Sequence, residues 1–115
     1  MATKKECIRF FFISKYSFIT GYEIKSVNPT EFACVGETVS LKTVVTGAEE
    51  EFVVEWLNES RRPVVENKHF SMNRTVLTIN NALPLHNGLY YAAARYVTQD
   101  YHSAFTIILL KVKGI

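Results

Sequence analysis

Apolar and polar residues alternate along most of this chain with the two-residue period of a pleated strand. The clearest run is Thr38–Val45, where Val39, Leu41, Thr43 and Val45 share one side. Phe52–Leu57 comes next, with Phe52, Val54 and Trp56 on one side and Val53, Glu55 and Leu57 on the other. Thr75–Ile79 turns Leu77 and Ile79 the same way. Leu89–Val97 alternates again, and Ala104–Val112 is apolar almost throughout. Tyr22–Val27 alternates weakly, and Val64–Val65 and Phe70–Met72 are candidates for short edge strands. Between the runs stand Asn28-Pro29, Val35-Gly36-Glu37, Thr46-Gly47-Ala48, Asn58–Pro63, Asn87-Gly88 and Gln99-Asp100, residues that break or turn a chain. Pro29 cannot donate to a ladder, so it belongs at an edge or a kink. Short strands at this spacing predict an all-β sandwich.

Composition supports that class without narrowing it. The 115 residues suit one domain, and 48% of them are hydrophobic, which is globular. The net charge of +2 is scattered apart from Lys4-Lys5 and Arg61-Arg62. No basic stripe marks a nucleic-acid binder. Cys7 and Cys34 are two thiols or one bridge, and no Cys/His spacing suits zinc. His69, His86 and His102 are separated in sequence, each read as a loop or strand-end residue. No nucleophile motif is present, and Glu49-Glu50-Glu51 reads as a solvated loop, so neither an enzyme nor a cofactor is expected.

Residues 1–21 stand apart as an N-terminal extension. A signal peptide wants about 7–15 uninterrupted apolar residues. Here Phe10–Ile13 is short and Lys15 interrupts the apolar character beyond it, so the segment is a poor signal. Alternatives are an irregular leading strand or a stretch outside the fold. No run approaches the roughly 18 apolar residues of a membrane span.

Placed in order, these runs carry a resemblance. Gly36-x-x-Val39-x-Leu41-x-Thr43 matches a G-x-x-V-x-L-x-C strand. Trp56 lies thirteen residues after Thr43 and thirty-six before Ala92. Leu77, Ile79, Gly88 and Tyr90 fit L-x-I-x6-D-x-G-x-Y-x-C without insertion. Over roughly residues 22–113 the chain resembles an immunoglobulin-superfamily domain of the intermediate or variable-like set, which places the domain at 22–115. The resemblance implies a two-sheet Greek-key sandwich, with Trp56, Leu77, Ile79, Gly88 and Tyr90 as structural residues. It also implies that the family's paired cysteines fall at Thr43 and Ala92, so the inter-sheet disulfide is missing. Tyr90, Tyr96 and Phe52 are expected to fill the space. The corner's usual acid is His86, read as a solvated turn residue with a pH-sensitive replacement as the alternative, and the Tyr90 hydroxyl is expected to bond back to the backbone. The run from Asn81 to Ala92, with its doubled tyrosine, is also similar to the corner of immunoglobulin-like glycoproteins of adenoviruses and herpesviruses.

With Trp56, Ala92 and Val112 inward, the outward set is Val53, Glu55, Leu57, Tyr91, Ala93, Arg95, Val97, Phe105, Ile107 and Leu109. A face that apolar suits a protein partner or a second copy. Alternatively, residues 1–21 cover it. Loops around Gly47, Asn58 and Asp100 are further candidates. Asn58-Glu59-Ser60 and Asn73-Arg74-Thr75 fit the N-glycosylation pattern at Asn58 and Asn73. The expected function is a non-catalytic recognition or adhesion module, extracellular or on a cell or virus surface. The alternative is a cytoplasmic structural domain of a muscle-type or cytoskeletal array.

Overall fold

The computed structural model describes residues 21–114, arranged as eight strands and one short 3-10 turn. They are β1 (Glu23–Ser26), β2 (Thr30–Cys34), β3 (Val39–Thr46), β4 (Phe52–Leu57), β5 (Phe70–Asn73), β6 (Val76–Ile79), β7 (Gly88–Tyr96) and β8 (Ala104–Lys113). One four-stranded sheet has the order β1-β3-β6-β5 and the other β2-β8-β7-β4. All neighbours are antiparallel except β2, which runs parallel to β8. The two sheets face each other as the predicted sandwich. Residues 1–20, with the extension and Cys7, lie outside the described set.

The chain changes sheets at the breaks the sequence marks. β1 pairs with β3, and after Asn28-Pro29 the chain reappears in the other sheet as β2. Pro29 has no N–H to leave unpaired at this kink, and its carbonyl accepts from the Leu109 amide at 2.9 Å. β2 is a strand that the alternation of the sequence does not predict. Conversely, Val64–Val65 forms no strand: a single bridge joins Leu57 to Pro63, and Val64 donates to the Trp56 carbonyl at 2.8 Å. Pro63 cannot donate the next rung, and Val65 is exposed.

The core is made by the inward residues of both sheets. Leu41 pairs across the ladder with Leu77, and Val39 with Ile79. From the other sheet come Trp56, Ala92, Ile108 and Leu110, all essentially inaccessible to solvent. Burying a side chain of this size contributes roughly 1.5–3 kcal/mol.

The implied cysteine positions are filled by small residues. Thr43 is buried, and both its amide and its hydroxyl donate to the Thr75 carbonyl, at 3.1 and 2.8 Å. Ala92 is the ladder partner of Trp56. Of the residues expected to fill the space, Tyr90 is in the central cluster and the other two are not. Tyr96 packs on Tyr22 at the far end, with ring centroids 4.7 Å apart. Phe52 lies beneath the Arg74 guanidinium. Both are near the sandwich end, too far along their strands to reach the centre.

The β6–β7 corner departs from expectation at His86. This residue is not solvated; it is 4% exposed. Its Nδ1 accepts from the Leu83 amide at 2.9 Å, and its ring meets His69 at 4.9 Å and Phe70 at 5.3 Å. Burial, and secondarily His69, push its pKa below the ordinary histidine value. The Tyr90 hydroxyl donates to the His86 carbonyl at 2.7 Å, the back-bond expected of the corner. Burial, helped by the Glu59 carboxylate, raises the Tyr90 pKa to about 12. Gly88 has φ +140°, and a Cβ there would lie 2.5 Å from Glu59 Oε1. The positive φ is what calls for glycine, since the exposed Glu59 side chain can swing aside.

Candidate functional site

The outward residues of β4, β7 and β8 fall into register as rows across the sheet. One row is Leu57, Tyr91 and Ile107; the next is Glu55, Ala93 and Phe105. Leu89 and Leu109 form a third rung beside them. Strand alternation alone produces this, because successive side chains take opposite faces. Phe105 is 60% exposed and Ile107 49%. Together with Leu57, Tyr91 and Arg61 they line a shallow depression of about 240 Å³.

One rim of the depression is polar. Arg61 arrives from the loop after β4, and its guanidinium lies 4.8 Å from the Tyr91 ring centroid. Such cation–π contacts contribute about 0.5–1 kcal/mol at exposed sites. Arg61 has φ +66° in a turn where its amide donates to the Asn58 carbonyl at 2.8 Å. Across the sheet, His102 Nε2 lies 2.5 Å from Glu55 Oε1, and Arg95 Nε lies 3.5 Å from the same oxygen. The His102 hydrogen bond holds the Glu55 carboxyl below the usual range; partial burial opposes the shift and Arg95 adds to it. Arg95 is also fixed by donating to the Gln99 carbonyl at 2.8 Å. The result is an apolar centre with a charged border whose side chains are held in place.

The residues named from sequence do not all meet. Leu57, Tyr91, Ile107 and Phe105 converge on the depression, and Leu109 adjoins it. Glu55 and Arg95 make the border. Val53 pairs with Arg95 toward the edge, away from the depression. Val97 lies past the end of β7, in the turn to β8. Arg61, Phe32 and His102 also belong to this face, although the alternation of the sequence does not single them out, and so does Leu89. Leu89 shares the parity of Tyr91 and was legible. Phe32 is 63% exposed beside Lys111 on β8, on the strand that alternation does not predict.

The two sequons differ. Asn58 Oδ1 accepts from the amides of Ser60 at 2.9 Å and Arg62 at 3.0 Å, so its side chain is part of the turn. Asn73 is exposed at the end of β5, before the tight Arg74-Thr75 turn. Among the described residues, no helix is long and apolar enough to cross a membrane.

No protein-family model and no curated protein sequence matches this chain. Solved structures do. A structure described as titin kinase and its flanking domains superposes with a TM-score of 0.68 at 16% identity, covering 84% of this chain and 18% of that one. The M1 domain from titin gives 0.64 at 15% identity, over 84% and 96% of the two chains. The N-terminal four immunoglobulin domains of a Dscam1 isoform give 0.63 at 20% identity, over 81% and 21%. This chain therefore spans under a fifth of the titin kinase structure and about one domain of the four in Dscam1. At these identities the likeness is one of fold, and the fold is that of an immunoglobulin domain.

Proposed function

We propose that this immunoglobulin-fold domain is a non-catalytic protein-recognition module that binds through the outer face of the β2-β8-β7-β4 sheet. The observation that carries the reading is the apolar depression among Leu57, Tyr91, Phe105 and Ile107, bordered by fixed charges. Exposed aromatic and aliphatic side chains gathered into one patch gain most from burial against a second protein. That partner is another protein or a second copy of this chain. The exposed sequon at Asn73 supports a place at a cell surface or outside the cell.

Replacing Ile107 and Tyr91 together with charged residues tests this reading. Self-association in analytical ultracentrifugation, or binding to the partner, should be lost while the melting transition stays cooperative. Association that survives the double substitution removes this face as the site.

A second reading is a structural domain in an array. It is supported by Thr43 and Ala92 in the disulfide positions, since such a core needs no oxidising compartment. Tandem copies of the domain in the flanking coding sequence would favour it over recognition.

A further inference from the structure

The end of the sandwich opposite the His86 corner contains a recess that the recognition face does not use. We propose that it is a binding site for an alkylammonium cation. The recess has a volume of about 460 Å³ and is walled by Tyr22, Tyr96 and Tyr101, with Glu49 and Glu50 at its margin. Among the described residues, none that lines it carries a positive charge. The nearby Arg95 is turned to the outer face, where it holds Glu55 and the Gln99 carbonyl.

Two of the three aromatic walls, Tyr22 and Tyr96, are fixed before any ligand arrives, while Tyr101 stands exposed at the mouth. The Tyr22 hydroxyl donates to the Ala94 carbonyl at 3.2 Å and also bonds the Ser103 hydroxyl. The Tyr96 hydroxyl accepts from the Glu49 amide at 3.3 Å, which ties the acidic loop to the aromatic wall. Their rings stand 4.7 Å apart at 50°. Thr98 donates to Glu50 Oε1 at 3.2 Å, holding the second carboxylate nearby. Gly47 has φ +84°, and a Cβ there would lie 3.4 Å from the Gly21 carbonyl oxygen. Its lack of a side chain lets the β3–β4 turn close against the start of β1.

With both inner phenol hydroxyls used internally, the recess offers aromatic surface and negative charge. A neutral ligand would gain little from the carboxylates, and a small hydrated metal ion would gain little from the rings. A quaternary or tertiary ammonium matches both, because its methyl groups pack on aromatic faces while its charge is attracted by ring quadrupoles and carboxylates. A methylated lysine side chain and a choline headgroup carry this same group.

The test is a titration of the full chain with tetramethylammonium chloride, followed by amide NMR shifts. Sodium chloride and tert-butanol serve as ionic and neutral controls. Saturable shifts confined to Gly47, Glu49, Gln99 and Ser103, absent with both controls, are expected. Glu49→Gln combined with Glu50→Gln should weaken binding about tenfold or more, as should Tyr101→Leu. An unchanged Trp56 indole resonance reports that these variants keep the fold. A trimethyllysine peptide and phosphocholine then separate the two sources: the tighter binder names the natural one. Shifts equal to those from tert-butanol, shifts that never saturate, or affinity indifferent to the glutamate pair would overturn the proposal. Since Ile107 and Tyr91 do not line the recess, this result is independent of the recognition face.

Discussion

The ring of His69 rests 4.9 Å from the ring of the buried His86, and their hydrogen bonds assign different roles to the same nitrogen. His86 Nδ1 faces the Leu83 amide and must accept, whereas His69 Nδ1 faces the Asn80 carbonyl, 3.0 Å away, and must donate. A proton added to His86 Nδ1 breaks the Leu83 bond and sets charge in an apolar site. The folded pKa of His86 is lowered from an unfolded value of about 6.5. Its contribution is therefore complete above that pH and is lost as pH falls toward and through the folded value. Urea midpoints should drop between pH 7.5 and 5. His86→Asn, which keeps an acceptor for Leu83 but cannot titrate, should flatten this drop. An equally steep profile in the variant would assign the acid sensitivity elsewhere.

Gly88→Ala should destabilise the domain by about 1–3 kcal/mol, chiefly from the left-handed backbone, with displacement of the Glu59 carboxylate a smaller part. A second substitution separates the causes. Glu59→Ala removes the colliding carboxylate, so the double variant should recover part of the loss and retain the backbone part. Full recovery in denaturant unfolding would mean that φ at residue 88 is unimportant.

Introducing cysteines as Thr43→Cys with Ala92→Cys should create an inter-sheet bridge. Both sites are buried and already small. The oxidised double variant should show no free thiol at these positions and gain about 2–4 kcal/mol. Thiols that stay reduced after mild oxidation would show that the sheets hold these positions out of bridging range.

From a secretory host, the glycan should appear at Asn73 and not at Asn58. The Asn58 side chain is committed to its turn, while Asn73 stands exposed beside a two-residue hairpin. Peptide mapping after glycosidase treatment decides this. Modification at Asn58 would mean that its turn opens readily.

Much of this architecture was written locally. Trp56, Leu41 and Leu77 announce their burial because period-two patterning and bulk coincide in one strand. The Leu77–Ala92 stretch contains a whole strand–corner–strand unit within contact range of itself, so its spacing carries the Tyr90 back-bond to His86. The outward face of β4, β7 and β8 follows from parity, once Trp56 is set inward. What escaped depends on distant partners. Thr30–Cys34 shows little alternation, and it is a strand because β8, far along the chain, supplies its hydrogen bonds. His86 is polar in a turn, and nothing nearby in sequence signals that His69 and Phe70 close over it. Arg61 reaches Tyr91 only through a turn with a left-handed residue.

The sheet change at Pro29 also has a mechanical consequence. Because β2 lies parallel to β8, with Thr30 beside Leu109 and Cys34 beside Lys113, tension applied along the polypeptide draws the two strands lengthwise past each other. The rungs between them are then loaded simultaneously instead of being unzipped one by one. Any load in that direction falls on the β2–β8 rungs, and so on β2, the least conspicuous strand.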